Sequence, residues 1–183
     1  GTWQRINHYL LQDARIAQGS EASPSAGVID SQSVKTTESG GVRGYDAGKK
    51  IKGRKRHILI DTLGMLLKAE VHSAGVQDRD GAALVFDKLA SRFPFIEKIC
   101  GDGGYQGPKV QAASPRPIEI IKRNQAGFEV LPKRWIVERT LAWLGINRRL
   151  TKDFERFSTT SLAFIQTAMI KLMTRRLARY PLS

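Results

Sequence analysis

A single cysteine, Cys100, is all that the sequence offers toward covalent cross-linking, so no intrachain disulfide can form. Together with the lack of a secretory leader, this points to a reducing, intracellular compartment. Long hydrophobic runs are missing as well: "GMLLKAEV" and "FIQTAMIKLM" stop well short of the roughly 20 apolar residues that a membrane span requires. Cys and His do not cluster at metal-ligand spacing, so His57 and His72 read as strand residues and Cys100 as core. Acidic residues are scarce, 17 against 30 Lys and Arg, and the formal charge is +13. A field of that sign suits a polyanion and puts nucleic acid first among the partners. Apolar residues are not scarce. At 41% of 183 positions they suffice for one buried core, and one compact domain is expected.

The opening "TWQRINHYLLQDARIAQG" sets Trp3, Ile6, Leu10, Ala14 and Ala17 at three- and four-residue steps, an amphipathic helix that ends at Gly19. A linker, "GSEASPSAG", separates it from "GVIDSQSV", a short strand with Asp30 near its end. From Lys35 to Lys55 the chain is rich in Gly, Lys and Arg with almost no apolar periodicity, so a long surface excursion is expected there. "RHILIDTLGMLLKAEVHSAG" reads as a hairpin turning at Thr62-Leu63-Gly64. "DRDGAALVFDKLASRF" reads as a helix with Asp78 and Asp80 at its start. "IEKICGD" is a strand ending at Asp102, and "IEIIKRN" is another. Helices follow over "RWIVERTLAWLGINRRL" and "SLAFIQTAMIKLMTRRLA". The order matches an α/β, ribonuclease H-like arrangement, a mixed β-sheet flanked by α-helices. The division expected is 1–26 as helix and linker and 27–183 as the sheet domain.

In that arrangement the strands of Asp30 and Asp102 lie side by side, so two acids from distant sequence meet at one sheet edge, with Glu138 on a helix able to pack over it. Carboxylates suit hard cations such as Mg²⁺, which together with bound water can activate a nucleophile at phosphorus. Gly103 and Gly104 permit a sharp turn and close approach of a phosphate-bearing ligand. Spacing alone leaves Asp61, Glu70, Asp78 and Asp80 as competing carboxylates, the last two better explained as helix-start residues. The run "GKKIKGRKRH" offers Lys49, Lys50, Lys52, Arg54, Lys55 and Arg56 as a phosphate-tracking surface. "GYDAGKK" lacks the spacing and the following Ser or Thr of a nucleotide phosphate loop, and nucleotide binding is rejected there.

The segments "IDSQSVKTTESGG", "GYDAGKKIKGRKRHILIDTLG", "VQDRDGA", "GDGGYQG", "VLPKRWIVERTLAWL" and "RRLTKDFE" together resemble the DDE transposases of bacterial insertion sequences, most closely insertion-sequence family five. The likeness runs from about Ile29 to the C-terminal helix. It implies that Asp30, Asp102 and Glu138 are the catalytic, metal-holding triad, with Mg²⁺ as cofactor and Mn²⁺ as its substitute. The implied reactions are cleavage at transposon ends and transfer of the 3′-OH to target DNA. The implied partner is double-stranded DNA, both terminal inverted repeats and target, with a homodimer assembled on it in the bacterial cytoplasm at the nucleoid.

Arg134 stands four residues before Glu138 as in the wider group, where it is expected to contact phosphate. The group's Tyr ahead of that Arg is replaced by Leu131 and its Lys after the Glu by Gly145, with Arg148 or Arg149 expected to stand in for that Lys. Family members usually carry a further N-terminal region, of which residues 1–26 are read as the remnant, and the stretch between "DGGY" and "VLPKRW" looks shortened. A non-catalytic DNA-binding remnant and a nuclease without strand transfer are the alternatives, which nicking and joining assays separate.

Overall fold

The structure, a computed structural model, describes residues 1–121 and 134–180. Helix α1 (Thr2–Ile16) precedes β1 (Ala26–Lys35), a short β2 (Gly44–Asp46), the long β3 (Ile51–Asp61) and β4 (Leu66–Ser73). Helices α2 (Asp78–Phe86) and α3 (Leu89–Arg92) return the chain to β5 (Lys98–Gly101), and α4 (Pro108–Ala113) returns it to β6 (Ile118–Ile120). Then come α5 (Arg134–Gly145) and α6 (Ser158–Arg179). The expected hairpin is β3–β4. Gly64 turns it at a φ of +80°, and Asp61 Oδ1 accepts the amides of Leu63 at 2.9 Å and Met65 at 2.7 Å. The part of "IEIIKRN" beyond Ile121 and the residues up to Lys133 lie outside the described chain.

The strands form one mixed sheet in the order β2-β3-β1-β5-β6, with β4 also paired to β3. β1 runs antiparallel to β3 and parallel to β5, and β5 runs parallel to β6. Strand alternation sends Ile29, Leu59 and Ile99 to one face, where α1, α2 and α3 cover them with Leu11, Val85, Phe86 and Leu89. Val28, Ile58, Ile60 and Cys100 go to the other face, beneath Val137, Leu144, Ile165 and Met169 of α5 and α6. A curled mixed sheet covered on both faces by helices is the ribonuclease H-like arrangement expected from the element order.

Three local expectations need correction. β1 does not end near Asp30 but continues to Lys35, because β3 pairs with it from Gly27↔Asp61 through Lys35↔Gly53. Residues 35–55 are not one surface excursion: β2 and the first half of β3 lie within them. The buried residues of α1 are Asn7, Leu11, Ala14 and Arg15, while Trp3 and Ile6 are exposed. Arg15 is buried because it pairs with Asp61 at 2.5 Å, and Asn7 because it donates to the Leu66 carbonyl at 2.8 Å. Asp61 is thereby occupied by the fold.

Candidate active site

The parallel pairing of β1 with β5 sets Gly27 against Ile99 and Val28 against Cys100. Two residues beyond that last pair stand Asp30, within β1, and Asp102, just past the end of β5, both on the side that α5 covers. Both line one small cleft with Val28, Ile29, Gly101, Ile121 and Val137. Backbone amides orient the two carboxylates: Ser31 N–H donates to Asp30 Oδ1 at 2.7 Å, and Gly104 N–H donates to Asp102 Oδ1 at 2.9 Å. After β5 the chain turns tightly through Gly103–Tyr105. A β-carbon on Gly104 would stand 3.0 Å from Asp102 Oδ1 and 3.4 Å from Asp78 Oδ2, so a larger residue there would crowd the acids, while the space beside Gly103 is open.

Glu138 follows Val137, a residue of the cleft, on α5, and its side chain is exposed. Helix α5 packs on β1. Among the described residues no three His, Cys, Asp or Glu side chains stand close enough to hold a metal ion. The structure thus pairs Asp30 with Asp102 and puts Glu138 on the neighbouring helix without closing a three-acid cluster. The donor set nevertheless fits a hard cation. The cleft offers carboxylate oxygen and neither thiol nor imidazole, on an otherwise apolar floor.

The competing acids separate by geometry. Asp78 and Asp80 lie in the first turn of α2, but Gln77 holds the N-cap position and no side chain caps the helix. Asp80 instead meets Lys109 at 2.5 Å. Asp78 faces the sheet, where burial works against its charge but bonds from Lys55 and Ser31 hold it below the usual carboxylate range. Glu70 is pushed up by burial. Tyr105 is buried in the core beneath α2, its hydroxyl held well above its ordinary value by burial first and then by the negative charges of Asp30, Asp78 and Asp102.

The basic run divides sharply. Lys50 and Lys52 are exposed, Lys50 in the β2–β3 turn at a φ of +53°. Lys49 is exposed along its length but turns its ammonium back to the Ser31 carbonyl at 3.0 Å. Arg54, Lys55 and Arg56 are buried strand residues, which corrects their placement on a surface loop. Arg54 meets Asp153 at 3.0 Å and donates to the carbonyls of Val42, Glu155 and Arg156, and Arg56 donates to those of Leu150 and Lys152. Lys55 meets Asp78. Alternation explains the arrangement: Arg54 and Arg56 staple residues 150–156 to one face of the sheet, and Lys55 serves the other. Beyond β3, Arg148 is exposed, and Arg149 pairs with Glu155 and lies over the rings of Phe154 and Phe164. The side chain of Arg134, and Leu131, lie outside the described residues.

A mixed sheet of this connectivity, with two carboxylates in one cleft at the end of a parallel strand pair and a neighbouring helix that carries a third acid, defines a ribonuclease H-like protein with a candidate phosphoryl-transfer site. A family model described as "Transposase DDE domain" matches residues 21–173, and the chain belongs to that family. A Burkholderia cepacia protein named "Putative transposase for insertion sequence element IS402" is 30% identical to it over 129 residues, which are 62% of this chain and 59% of that protein. The chain therefore spans less than two thirds of that relative's length. No described helix is long and apolar enough to cross a membrane.

Proposed function

We propose that the chain is the catalytic part of a DNA transposase, cutting a phosphodiester at an element's end and then joining the exposed 3′-OH to target DNA. The placement of Asp30 and Asp102 in one cleft, just beyond the last β1–β5 pair, is the observation that carries this reading, and family membership supports it. Asp30, Asp102 and Glu138 would hold Mg²⁺, for which Mn²⁺ would substitute. When bound, the ion supplies charge to polarise the phosphoryl oxygens and lower the pKa of water.

The chain's own groups do the rest. The Ser31 and Gly104 amides keep the two aspartates aimed into the cleft before DNA arrives. Glu138 orients the attacking water, and later the 3′-OH, from the α5 side. Open space at Gly103 lets a phosphate approach the acids without a side chain in its path. Lys50 and Lys52, with Arg134 and Arg148, position backbone phosphates. In the first step a water oxygen bonds to phosphorus and the bond to the 3′ oxygen breaks. In the second that 3′ oxygen bonds to a target phosphorus and displaces the neighbouring 3′ oxygen. Each step forms one P–O bond and breaks one, and neither needs a covalent bond to the protein. DNA duplexes and a homodimer assembled on them complete the proposal, with action at the bacterial nucleoid.

Incubation with Mg²⁺ and a duplex ending in a free 3′-OH tests it. Joined products are expected. Nicking without joining would favour a nuclease, and binding with neither would favour a non-catalytic DNA-binding protein.

A further inference from the structure

Asp78 opens α2, where an acid ordinarily serves the helix N-terminus. Its side chain turns to the sheet instead. Asp78 Oδ1 accepts from Ser31 Oγ at 2.9 Å and from Lys55 Nζ at 2.8 Å. Lys55 is buried, and its ammonium is completed by the Val76 carbonyl at 2.9 Å and Asp46 at 3.5 Å. Asp46 is locked in turn. Burial opposes its charge, but bonds from the Ser33 hydroxyl and the Lys49 amide, with the Lys55 and Lys49 charges, hold it at about 2. Lys49 closes the network by reaching the Ser31 carbonyl. Two further buried polar groups face this spot: the Tyr105 hydroxyl, which interacts with the Ser31 side chain, and His57 Nε2, 3.9 Å from Asp78 Oδ1.

Nothing in helix capping or core packing requires so many fixed charges behind one serine. The position of that serine does. A strand turns successive residues to opposite faces, so Ser31 points toward α2 while Asp30 points toward α5. The two share a peptide unit, and the Ser31 amide donates to Asp30 Oδ1.

We propose that Asp78 is a positioning residue for Asp30, acting through the sheet. Lys55 holds Asp78, Asp78 holds the Ser31 hydroxyl, and the Ser31 amide so fixed holds the Asp30 carboxylate in the cleft it shares with Asp102. The inference rests on Asp30 being a cation-holding acid. Groups one link removed from a ligand typically change metal affinity by about 10- to 100-fold.

Mn²⁺ binding to the whole chain without DNA, measured by electron paramagnetic resonance of the free ion, provides the test. The proteins compared are wild type, Asp30→Ala, Ser31→Ala, Asp78→Ala and the Ser31→Ala/Asp78→Ala double variant. Ser31→Ala is the decisive change because it leaves the Lys55–Asp78 pair intact and removes the hydroxyl that joins Asp78 to β1, together with its longer contact to Lys49 Nζ at 3.5 Å, while the Lys49 bond to the Ser31 carbonyl remains. It is expected to weaken Mn²⁺ binding about tenfold at unchanged metal-free DNA affinity. Asp78→Ala is expected to weaken it equally, and the double variant no further. Wild-type Mn²⁺ affinity in Ser31→Ala, or losses that add in the double variant, would overturn the proposal. Should Asp78→Ala fail to fold, Ser31→Ala decides alone. Weakening by Asp30→Ala but not by Ser31→Ala sinks this inference only, whereas no effect of either removes Asp30 from the ligand set and both readings fall.

Discussion

Arg54 Nη1 lies 3.0 Å from Asp153 Oδ1, and neither side chain reaches solvent. The guanidinium also donates to three carbonyls, and Asp153 Oδ2 accepts the Ser161 hydroxyl at 2.7 Å at the start of α6. This pair therefore ties β3 to the segment that leads from α5 to α6 and places Arg54 in the interior.

Arg54→Ala is expected to cost about 3–5 kcal/mol of stability, because it strands a buried carboxylate. Urea denaturation reads this as a lowered midpoint. A change under about 1 kcal/mol, comparable to loss of an exposed pair, would return Arg54 to the surface.

Duplex affinity should depend instead on the lysines that face water. Replacing Lys50 and Lys52 by Ala is expected to weaken binding to every duplex and to flatten the salt dependence by up to about one unit of slope per lost phosphate contact. An unchanged slope in filter binding from low to moderate salt would show that these lysines touch no phosphate.

The charge run "GKKIKGRKRH" shows where the sequence stops being legible. Its glycines and cations hide a strand, because over Arg54–Arg56 β3 buries cations rather than aliphatic residues, and the partners that make this possible, Asp78 and Asp153, lie far away in sequence. The alternation of Arg54 and Arg56 with Lys55 and His57, running on into "ILID", was the available signal. Hydrophobic patterning did reveal the hairpin, the strand before Asp102 and the two C-terminal helices, since those elements bury ordinary apolar residues, whereas the short β2 and α4 and the break between α2 and α3 were not foreseen. The juxtaposition of Asp30 and Asp102 was legible for the same reason, as both follow apolar strand residues that must pair in the core. Asp78 was not. A first-turn acid looks the same in sequence whether it serves its helix or reaches across to a strand.

All three histidines have folded-state values below the ordinary 6.5, with burial the largest cause for each and the facing His72 adding to it at His57. The unfolded chain therefore takes up protons first as pH falls. The stability they contribute is intact above about pH 6.5 and is lost progressively below it, down toward their folded values. Half-buried Glu70, whose value is raised, works in the opposite sense near its ordinary 4.5. The urea midpoint should drop between pH 7.5 and 5, and less so in His57→Gln. A midpoint that holds or rises over that interval would contradict the burial of the histidine pair.

Base readout requires contacts to base edges, which phosphate-binding lysines do not supply. Affinities for an element's terminal repeat and for a scrambled duplex of equal length are therefore expected to agree within about tenfold, roughly 1.4 kcal/mol, at one salt concentration. A larger preference for the repeat would place end recognition within these 183 residues.

Metal-dependent nicking of supercoiled DNA by the Asp30→Ala, Asp102→Ala and Glu138→Ala variants tests the central claim most directly. Each substitution is expected to abolish nicking in Mg²⁺ and in Mn²⁺ while leaving the fold and metal-free DNA binding largely intact. Nicking at the wild-type rate by the Asp30 or Asp102 variant would contradict the account, since the two acids that share the cleft would then take no part in the chemistry.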